Sequence, residues 1–394
     1  SLQNIDNILK SPEQKNGAFF IISKDEKMTN RNVNPTLLEN PIVTGKPDSP
    51  LIIAGPCSAE SESQVLSTAR KIARIRGISI FRAGVWKPRT RPNGFEGVGV
   101  EGLLWLQKVK SETGLKIATE VANTSHVEKA LEYHIDYLWI GARTTVNPFS
   151  VQEIANALRG VDIPVMVKNP VNPDVKAWLG ALERVIQAGI KKIYAVHRGF
   201  STFEKTPYRN APKWEIPIEL KRQFPEIPII SDPSHIAGKR SLIAELSQKA
   251  MDLAMDGLMI ETHINPDAAL SDASQQITPD SLEEILHKLK IRKPEGNGLN
   301  GEHILEMLRE EMDGVDNAIL VAIAKRIELT NKLGHYKKNH NMTILQVNRW
   351  QQVLEDRLKQ AHYLGLDEKL VKDIYQLLHN QSVKIQSELL NKDE

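Results

Sequence analysis

The sequence contains a single cysteine, Cys57, among 394 residues, so no intrachain disulfide can staple the fold. One lone thiol fits a reducing compartment such as the cytoplasm. Long hydrophobic runs are also missing. Stretches such as Ala318–Ala324 fall far short of the roughly 18 apolar residues that a membrane span needs. The apolar island Ala18–Ile22 is too short and lies too late for the core of a signal peptide. Neither sign of charge prevails: 51 Lys and Arg face 49 Asp and Glu, a net of +2. That balance lacks the basic excess of a nucleic-acid binder. No GxGxxG follows the first β-rich run, which removes the marker of a dinucleotide-binding sheet. What is present is 41% hydrophobic and 25% charged residues, ordinary for a soluble globular protein with a real core. At about 150 residues per domain the length suggests two or three domains, although one large barrel could absorb about 250 residues.

Residues 1–50 are polar, rich in Asn, Lys and Pro, and without periodicity, and they read as an N-terminal arm. Met28 is a candidate natural start within it. From residue 51, short β-rich runs recur at Leu51–Ala54, Ile78–Arg82, Leu115–Thr119, Tyr137–Ile140, Ile163–Val167, Lys192–Val196, Ile227–Ile230 and Leu258–Ile260. Helix-like stretches such as Ser63–Arg76, Val100–Thr113, Ser125–Tyr133 and Leu179–Ala188 separate them. Eight βα repeats over 51–290 predict an α/β fold, a closed (β/α)8 TIM barrel rather than an open sheet. Residues 291–303 carry three glycines and a proline and read as a linker. Beyond it, Ile304, Leu308, Met312, Val315, Ile319, Ile323 and Ile327 recur at three- or four-residue spacing, the pattern of a long amphipathic helix. Two more helices follow near Ile344–His362 and Asp367–Leu390, so 304–394 is a separate all-α domain.

Charged or metal-capable residues follow every predicted strand. In chain order they are Cys57; Arg82 with Lys87, Arg89 and Thr90; Glu120; Arg143; Lys168; Arg198; Asp232 with His235; and Glu261 with His263. In a barrel those strand ends meet on one rim, where the active site belongs. Six cations there imply substrates carrying several negative charges, because guanidinium forks and ammonium groups match phosphate and carboxylate. Cys57, His235, Glu261 and Asp272 together offer thiolate, imidazole and carboxylates, a set suited to a divalent first-row metal such as Mn, Fe, Co or Zn.

These residues sit in motifs: Gly55-Pro-Cys57-Ser-Ala-Glu60, Phe81–Pro92 with Lys87-Pro-Arg89-Thr90 inside it, Gly141-Ala-Arg143, Val167-Lys168-Asn-Pro, His197-Arg198-Gly, Ser231–His235, Glu261-Thr-His263 and Ser271–Gln275. Together, over about residues 50–290, the sequence resembles the 3-deoxy-D-arabino-heptulosonate 7-phosphate (DAHP) synthases, in that family's order. The short N-terminus is similar to the type I branch without a large added regulatory domain. Relatives that make the eight-carbon analogue, KDO 8-phosphate, differ at the KPRT motif. The resemblance implies one divalent ion per barrel, Mn ahead of Fe, Co or Zn, on Cys57, His235, Glu261 and Asp272. It implies phosphoenolpyruvate on Arg82, Lys87, Glu120, Arg143, Lys168 and Arg198. Erythrose 4-phosphate would lie on Lys87, Arg89, Thr90 and Asp272, with Lys87 or Glu120 managing protons.

Cations also punctuate the helical region: Arg309, Arg326, Lys337 and Arg349, with Gln346, Ser382 and Gln386 as polar partners. Arg326 and Lys337 share a helix face within about 20° and stand roughly 16 Å apart, so long side chains could clamp a small dicarboxylate. Arg309 lies roughly 25 Å from Arg326 along the axis, too far to join that ligand except from a second protomer. Over about 302–390 the sequence resembles the all-helical chorismate mutases, with Trp350 where that family usually carries Glu. The resemblance implies chorismate or prephenate on Arg309, Arg326, Lys337, Gln346, Arg349, Ser382 and Gln386, a homodimer through the helical domain, and feedback inhibition of the barrel by prephenate or chorismate. Trp350 keeps open a weakly catalytic or inactive module that senses ligand and dimerises. The expected partners are thus small-molecule substrates and a second copy, with no nucleic acid and no membrane, in the cytoplasm.

Overall fold

The computed structural model describes residues 49–87, 95–203, 205–292 and 299–391, with side chains from 304 onward in the last stretch. Nearly all of the 1–50 arm, together with Arg89 and Thr90, lies outside the described residues. The chain divides between Pro294 and Glu295 into two compact units.

In the first unit eight strands close a parallel barrel in sequence order: β1 Leu51–Gly55, β2 Ile78–Arg82, β3 Lys116–Val121, β4 Tyr137–Ile140, β5 Val165–Lys168, β6 Ile193–His197, β7 Ile229–Ser231 and β8 Gly257–Glu261. The predicted α/β barrel is therefore the observed fold. Its seam is the parallel pairing of β1 with β8, from Leu51 opposite Gly257 to Gly55 opposite Glu261. Alternate residues serve two cores, because both faces of each strand are covered. Leu51, Ile53, Ile80, Trp139, Met166, Tyr194 and Met259 fill the barrel interior. Ile52, Ala54, Phe81, Leu138, Val165 and Ile260 face the surrounding helices instead.

The helices start where short polar side chains cap them, as Ser61, Asn123, Asp174 and Asp232 do by accepting from backbone N–H groups. The first helix carries Val65, Leu66, Ala69 and Ile72 on its buried side, the 3.6-residue stripe that docks it on the sheet. Gly55 has φ +145, and a Cβ there would lie 2.1 Å from the Arg82 carbonyl oxygen. Only glycine lets β1 turn into the rim that close to β2.

The second unit has three helices, Leu299–Asn339, Val347–Tyr363 and Glu368–Asn391. The first begins inside the stretch expected to be a linker, because a glycine in a first helical turn (here Gly301) is tolerated and the following apolar pattern carries the helix. Residues 293–298 of that stretch are outside the described residues. No helix among the described residues is long and apolar enough to cross a membrane.

Candidate active site

Strand ends set the rim. Lys168, His197 and Glu261 are the last residues of their strands, so their backbones pair with neighbours while their side chains reach the rim. Cys57 follows β1 and is buried, with its N–H donating to Gln276 Oε1 at 2.9 Å. Its sulfur, a carboxylate oxygen of Glu261 and one of Asp272 lie within 4.8 Å of one another. His235 stands in the short helix Pro233–Ala237 capped by Asp232, with Nε2 at 3.7 Å from Glu261 Oε1 and 4.0 Å from Asp272 Oδ2. Its Nδ1 lies 2.8 Å from Asp232 Oδ2, which turns Nε2 toward the cluster.

These four residues fit a divalent cation. Glu261 Oε1 is buried without a hydrogen-bond partner, although the Arg82 guanidinium stands 3.2 Å away. Burial holds His235 below its ordinary pKa, against the pull of Asp232 and Glu261, and so favours the neutral ring that a metal ligand needs. Burial, and then Glu261, push the Cys57 thiol up to about 12, against the opposing pull of the Lys87 charge.

The cations form the next layer. Arg82 is buried, donates to the Cys57 carbonyl at 3.2 Å, and packs over Trp139 with 4.7 Å from guanidinium to ring centroid. Lys168 is buried and ion-paired to Asp232 at 2.8 Å. Arg198 donates to Asn210 Oδ1 at 2.8 Å. Burial lowers its pKa to about 10, with the Arg209 and Arg143 charges adding to the fall, so Arg143 belongs to the same electrostatic neighbourhood. Lys87 Nζ stands 3.2 Å from Cys57 Sγ. Its burial favours the neutral amine, but Cys57 and Glu120 outweigh that and hold the ammonium. Glu120 accepts from Trp139 Nε1 at 3.1 Å, and a Cβ on Gly141 would fall 2.1 Å from its Oε1.

The barrel residues expected from the sequence thus gather on one rim, except His263, whose Nε2 lies 3.6 Å from Glu60 Oε2 instead, and Arg89 and Thr90, which fall outside the described residues. Sequence reasoning passed over three supporting residues. Gln275 donates to Glu261 Oε2 at 2.7 Å, Arg209 pairs with Asp272 at 3.0 Å, and Asn210 donates to the His235 carbonyl at 2.6 Å. Gln275 was visible at the end of the Ser271–Gln275 motif; Arg209 and Asn210 lie in a stretch without periodicity.

In the helical unit, Arg326 Nη1 donates to Ser382 Oγ at 2.7 Å and to the Leu378 carbonyl at 2.9 Å, tying the first helix to the third. Lys337, Ser382 and Gln386 are buried, and Gln386 Oε1 has no hydrogen-bond partner. Lys337 Nζ donates to the Ile344 carbonyl at 2.6 Å. Trp350 stacks on His379 at 4.0 Å. The imidazole is held below its usual pKa by burial and then by the Arg326 and Lys337 charges, which brings Trp350 beside the same cluster. Arg349 on the second helix and Gln346, its N-cap residue, are exposed. Arg309 is exposed and paired with Glu306 at 3.3 Å.

A closed parallel barrel, with a cation-lined rim around thiol, imidazole and carboxylates, is the architecture of a (β/α)8 enzyme. Residues 21–295 match the DAHP synthetase I family, and residues 308–387 match chorismate mutase type II. The chain belongs to the DAHP synthetase I family and is an enzyme in which a DAHP synthase domain precedes a chorismate mutase domain. A phospho-2-dehydro-3-deoxyheptonate aldolase of Thermotoga maritima is 33% identical over 239 residues, 61% of this chain and 68% of that one. A 2-dehydro-3-deoxyphosphooctonate aldolase of Desulfotalea psychrophila is 31% identical over 283 residues, 66% of this chain and 97% of that one. Among solved structures, a Thermotoga maritima DAHP synthase superposes with a TM-score of 0.55 at 30% identity, covering 61% of this chain and 68% of that one.

Proposed function

We propose that the barrel condenses phosphoenolpyruvate with erythrose 4-phosphate and water, giving DAHP and inorganic phosphate. The observation that carries this reading is the placement of the Cys57, His235, Glu261 and Asp272 donors directly against Lys87 and Arg82. Arg82, Arg143, Lys168 and Arg198 hold the phosphate and carboxylate of phosphoenolpyruvate. Arg89 and Thr90 hold the phosphate of the aldehyde. A divalent ion on the four donors would supply Lewis-acid polarisation of the aldehyde oxygen. The enol carbon C3 attacks the aldehyde carbon, and the oxygen there takes its proton from the Lys87 ammonium. Water adds at C2, one proton passing to Glu120 or to Lys87. The new C2 hydroxyl then becomes the ketone carbonyl as the C2–O bond to the bridging oxygen breaks, and its proton leaves with the phosphate. The fixed cations stabilise the charge that develops at C2 and on the phosphate, an electrostatic task that needs no rearrangement of the site.

The test is phosphate release by the full chain with each aldehyde, with and without a chelator. Erythrose 4-phosphate should support turnover that the chelator abolishes. Preference for arabinose 5-phosphate would make the barrel a KDO 8-phosphate synthase, and full turnover in chelator would remove the metal.

The helical unit in this reading rearranges chorismate to prephenate, which requires only that the two carboxylates be clamped and the ether oxygen receive a hydrogen bond. Arg326, Lys337 and Gln386 are the central groups, with Arg309 supplied by a second protomer. Prephenate or chorismate bound there also inhibits the barrel, by a coupling of about 1–3 kcal/mol if it is typical. Prephenate titrated against synthase activity should inhibit wild type and spare Arg326→Ala. The Trp350–His379 stack supports a second reading, in which the unit senses ligand and catalyses weakly, because no carboxylate stands at position 350. Chorismate consumption by the full chain decides between them.

A further inference from the structure

Arg209 sits on the segment between β6 and the helix Glu215–Gln223, and its side chain is half-exposed. Its backbone is fixed. Its N–H donates to the Ala237 carbonyl at 3.2 Å, and a Cβ on Gly238 would come within 2.4 Å of its own Cβ. The next residue, Asn210, donates from its backbone to Ile236 and from its side chain to the His235 carbonyl. One guanidinium nitrogen, Nη1, then reaches two acceptors: Asp272 Oδ1 at 3.0 Å and Gln275 Oε1 at 2.6 Å.

The second contact orients a relay. Arginine has no acceptor, so Gln275 must turn its carbonyl oxygen to Arg209 and its NH2 away. That NH2 donates to Glu261 Oε2 at 2.7 Å. Each carboxylate of the donor cluster therefore has one oxygen tied to Arg209, directly for Asp272 and through Gln275 for Glu261. The other oxygens, Asp272 Oδ2 and Glu261 Oε1, are the ones facing His235 Nε2; Oδ2 also stands 3.5 Å from Cys57 Sγ and, more weakly than the Glu261 bond, 3.5 Å from Gln275 Nε2.

We propose that Arg209 is the positioning residue of the donor cluster, holding one oxygen of each carboxylate so that Asp272 and Glu261 each present a single oxygen to a divalent cation. This rests on the metal reading of the cluster given above. It opposes the simpler view of Arg209 as a nearby positive charge. A bare charge repels a divalent ion, so its removal would tighten binding, whereas loss of a positioning contact loosens it.

The experiment titrates Co2+ alone into the metal-free full chain and follows the thiolate-to-cobalt charge-transfer absorption of Cys57. If wild type shows no such band, the metal reading fails first, and this proposal with it. Given a wild-type band, Arg209→Met should weaken Co2+ binding by about ten- to a hundredfold. Arg209→Lys should restore part of the loss, and Gln275→Leu should weaken binding mainly through Glu261, since the Gln275 NH2 touches Asp272 Oδ2 only at 3.5 Å. Unchanged or tighter binding in Arg209→Met overturns the proposal. Should that variant fail to fold, as judged by thermal unfolding without metal, Gln275→Leu decides by the same criterion.

Discussion

His197 at the end of β6 makes folding stability depend on pH in a window set by its surroundings. Its ring is fully buried, with Nε2 at 2.6 Å from the Pro212 carbonyl and Nδ1 without a partner. Phe200 and Trp214 pack on its faces, at 6.0 and 4.8 Å between ring centroids. Burial lowers its pKa to about 4; the Pro212 bond pulls upward and the Arg198 charge pulls down again. In the unfolded chain a histidine titrates near about 6.5, so between these values the unfolded state binds a proton that the folded state refuses. Stability from this group is complete above pH about 6.5 and is lost as pH falls toward about 4, to a total of about 3 kcal/mol. Between pH 7.5 and 5 the loss comes to about 2 kcal/mol. The reference is His197→Gln, which cannot titrate. Losing the ring contacts shifts its stability by an amount independent of pH, so the reading lies in the slope. Urea unfolding of both chains at half-unit steps, followed by far-ultraviolet circular dichroism of the barrel transition, should show wild type losing about 2 kcal/mol more than the variant over that range. Parallel pH profiles would refute the assignment of a neutral, buried imidazole.

Asp232→Asn should destabilise the barrel by about 3–5 kcal/mol at neutral pH, because it leaves the Lys168 ammonium buried without its counter-charge. Burial alone would raise the Asp232 carboxyl, but His235 and Lys168 hold it well below the usual carboxylate range. The deficit of the variant, read from denaturant midpoints, should therefore stay constant down to pH about 4 and shrink below it. Cys57→Ala should abolish phosphate release while the same preparation still consumes chorismate; robust synthase turnover would remove the thiol from the cation site. Arg326→Ala should slow the mutase reaction by about a hundred- to a thousandfold, the cost of one charge-assisted donor. Near wild-type rates, measured by loss of chorismate absorbance, would place that site elsewhere.

The barrel was legible because its period is simple. Apolar runs of four to six residues, separated by amphipathic stretches, have few packings other than a parallel sheet under helices. β2 and β4 occupy the residues expected of them, and β5, β6 and β8 run one residue further at their C-terminal ends, to Lys168, His197 and Glu261. A charged residue after an apolar run reads as the start of a loop. In a closed barrel its backbone can still pair with the next strand while its side chain enters the rim. The donor set was likewise visible, since each member follows a strand or lies in a compact motif. Arg209 was not, because its importance lies in two contacts made 63 and 66 residues away along the chain. The Trp350–His379 stack was hidden for the same reason. Neither residue type nor spacing on separate helices announces that two rings are parallel and 4.0 Å apart.

Asp272 adopts φ 46 and ψ 38, the left-handed region that an L-residue enters at a cost of about 1–2 kcal/mol. Glycine would sit there without that strain, so the backbone at position 272, taken by itself, calls for the residue with no side chain. The carboxylate thus persists against the backbone's own preference. Asp272→Gly would relieve that strain but forfeit the ion pair with Arg209 at 3.0 Å, and it would remove the carboxylate proposed to hold the cation.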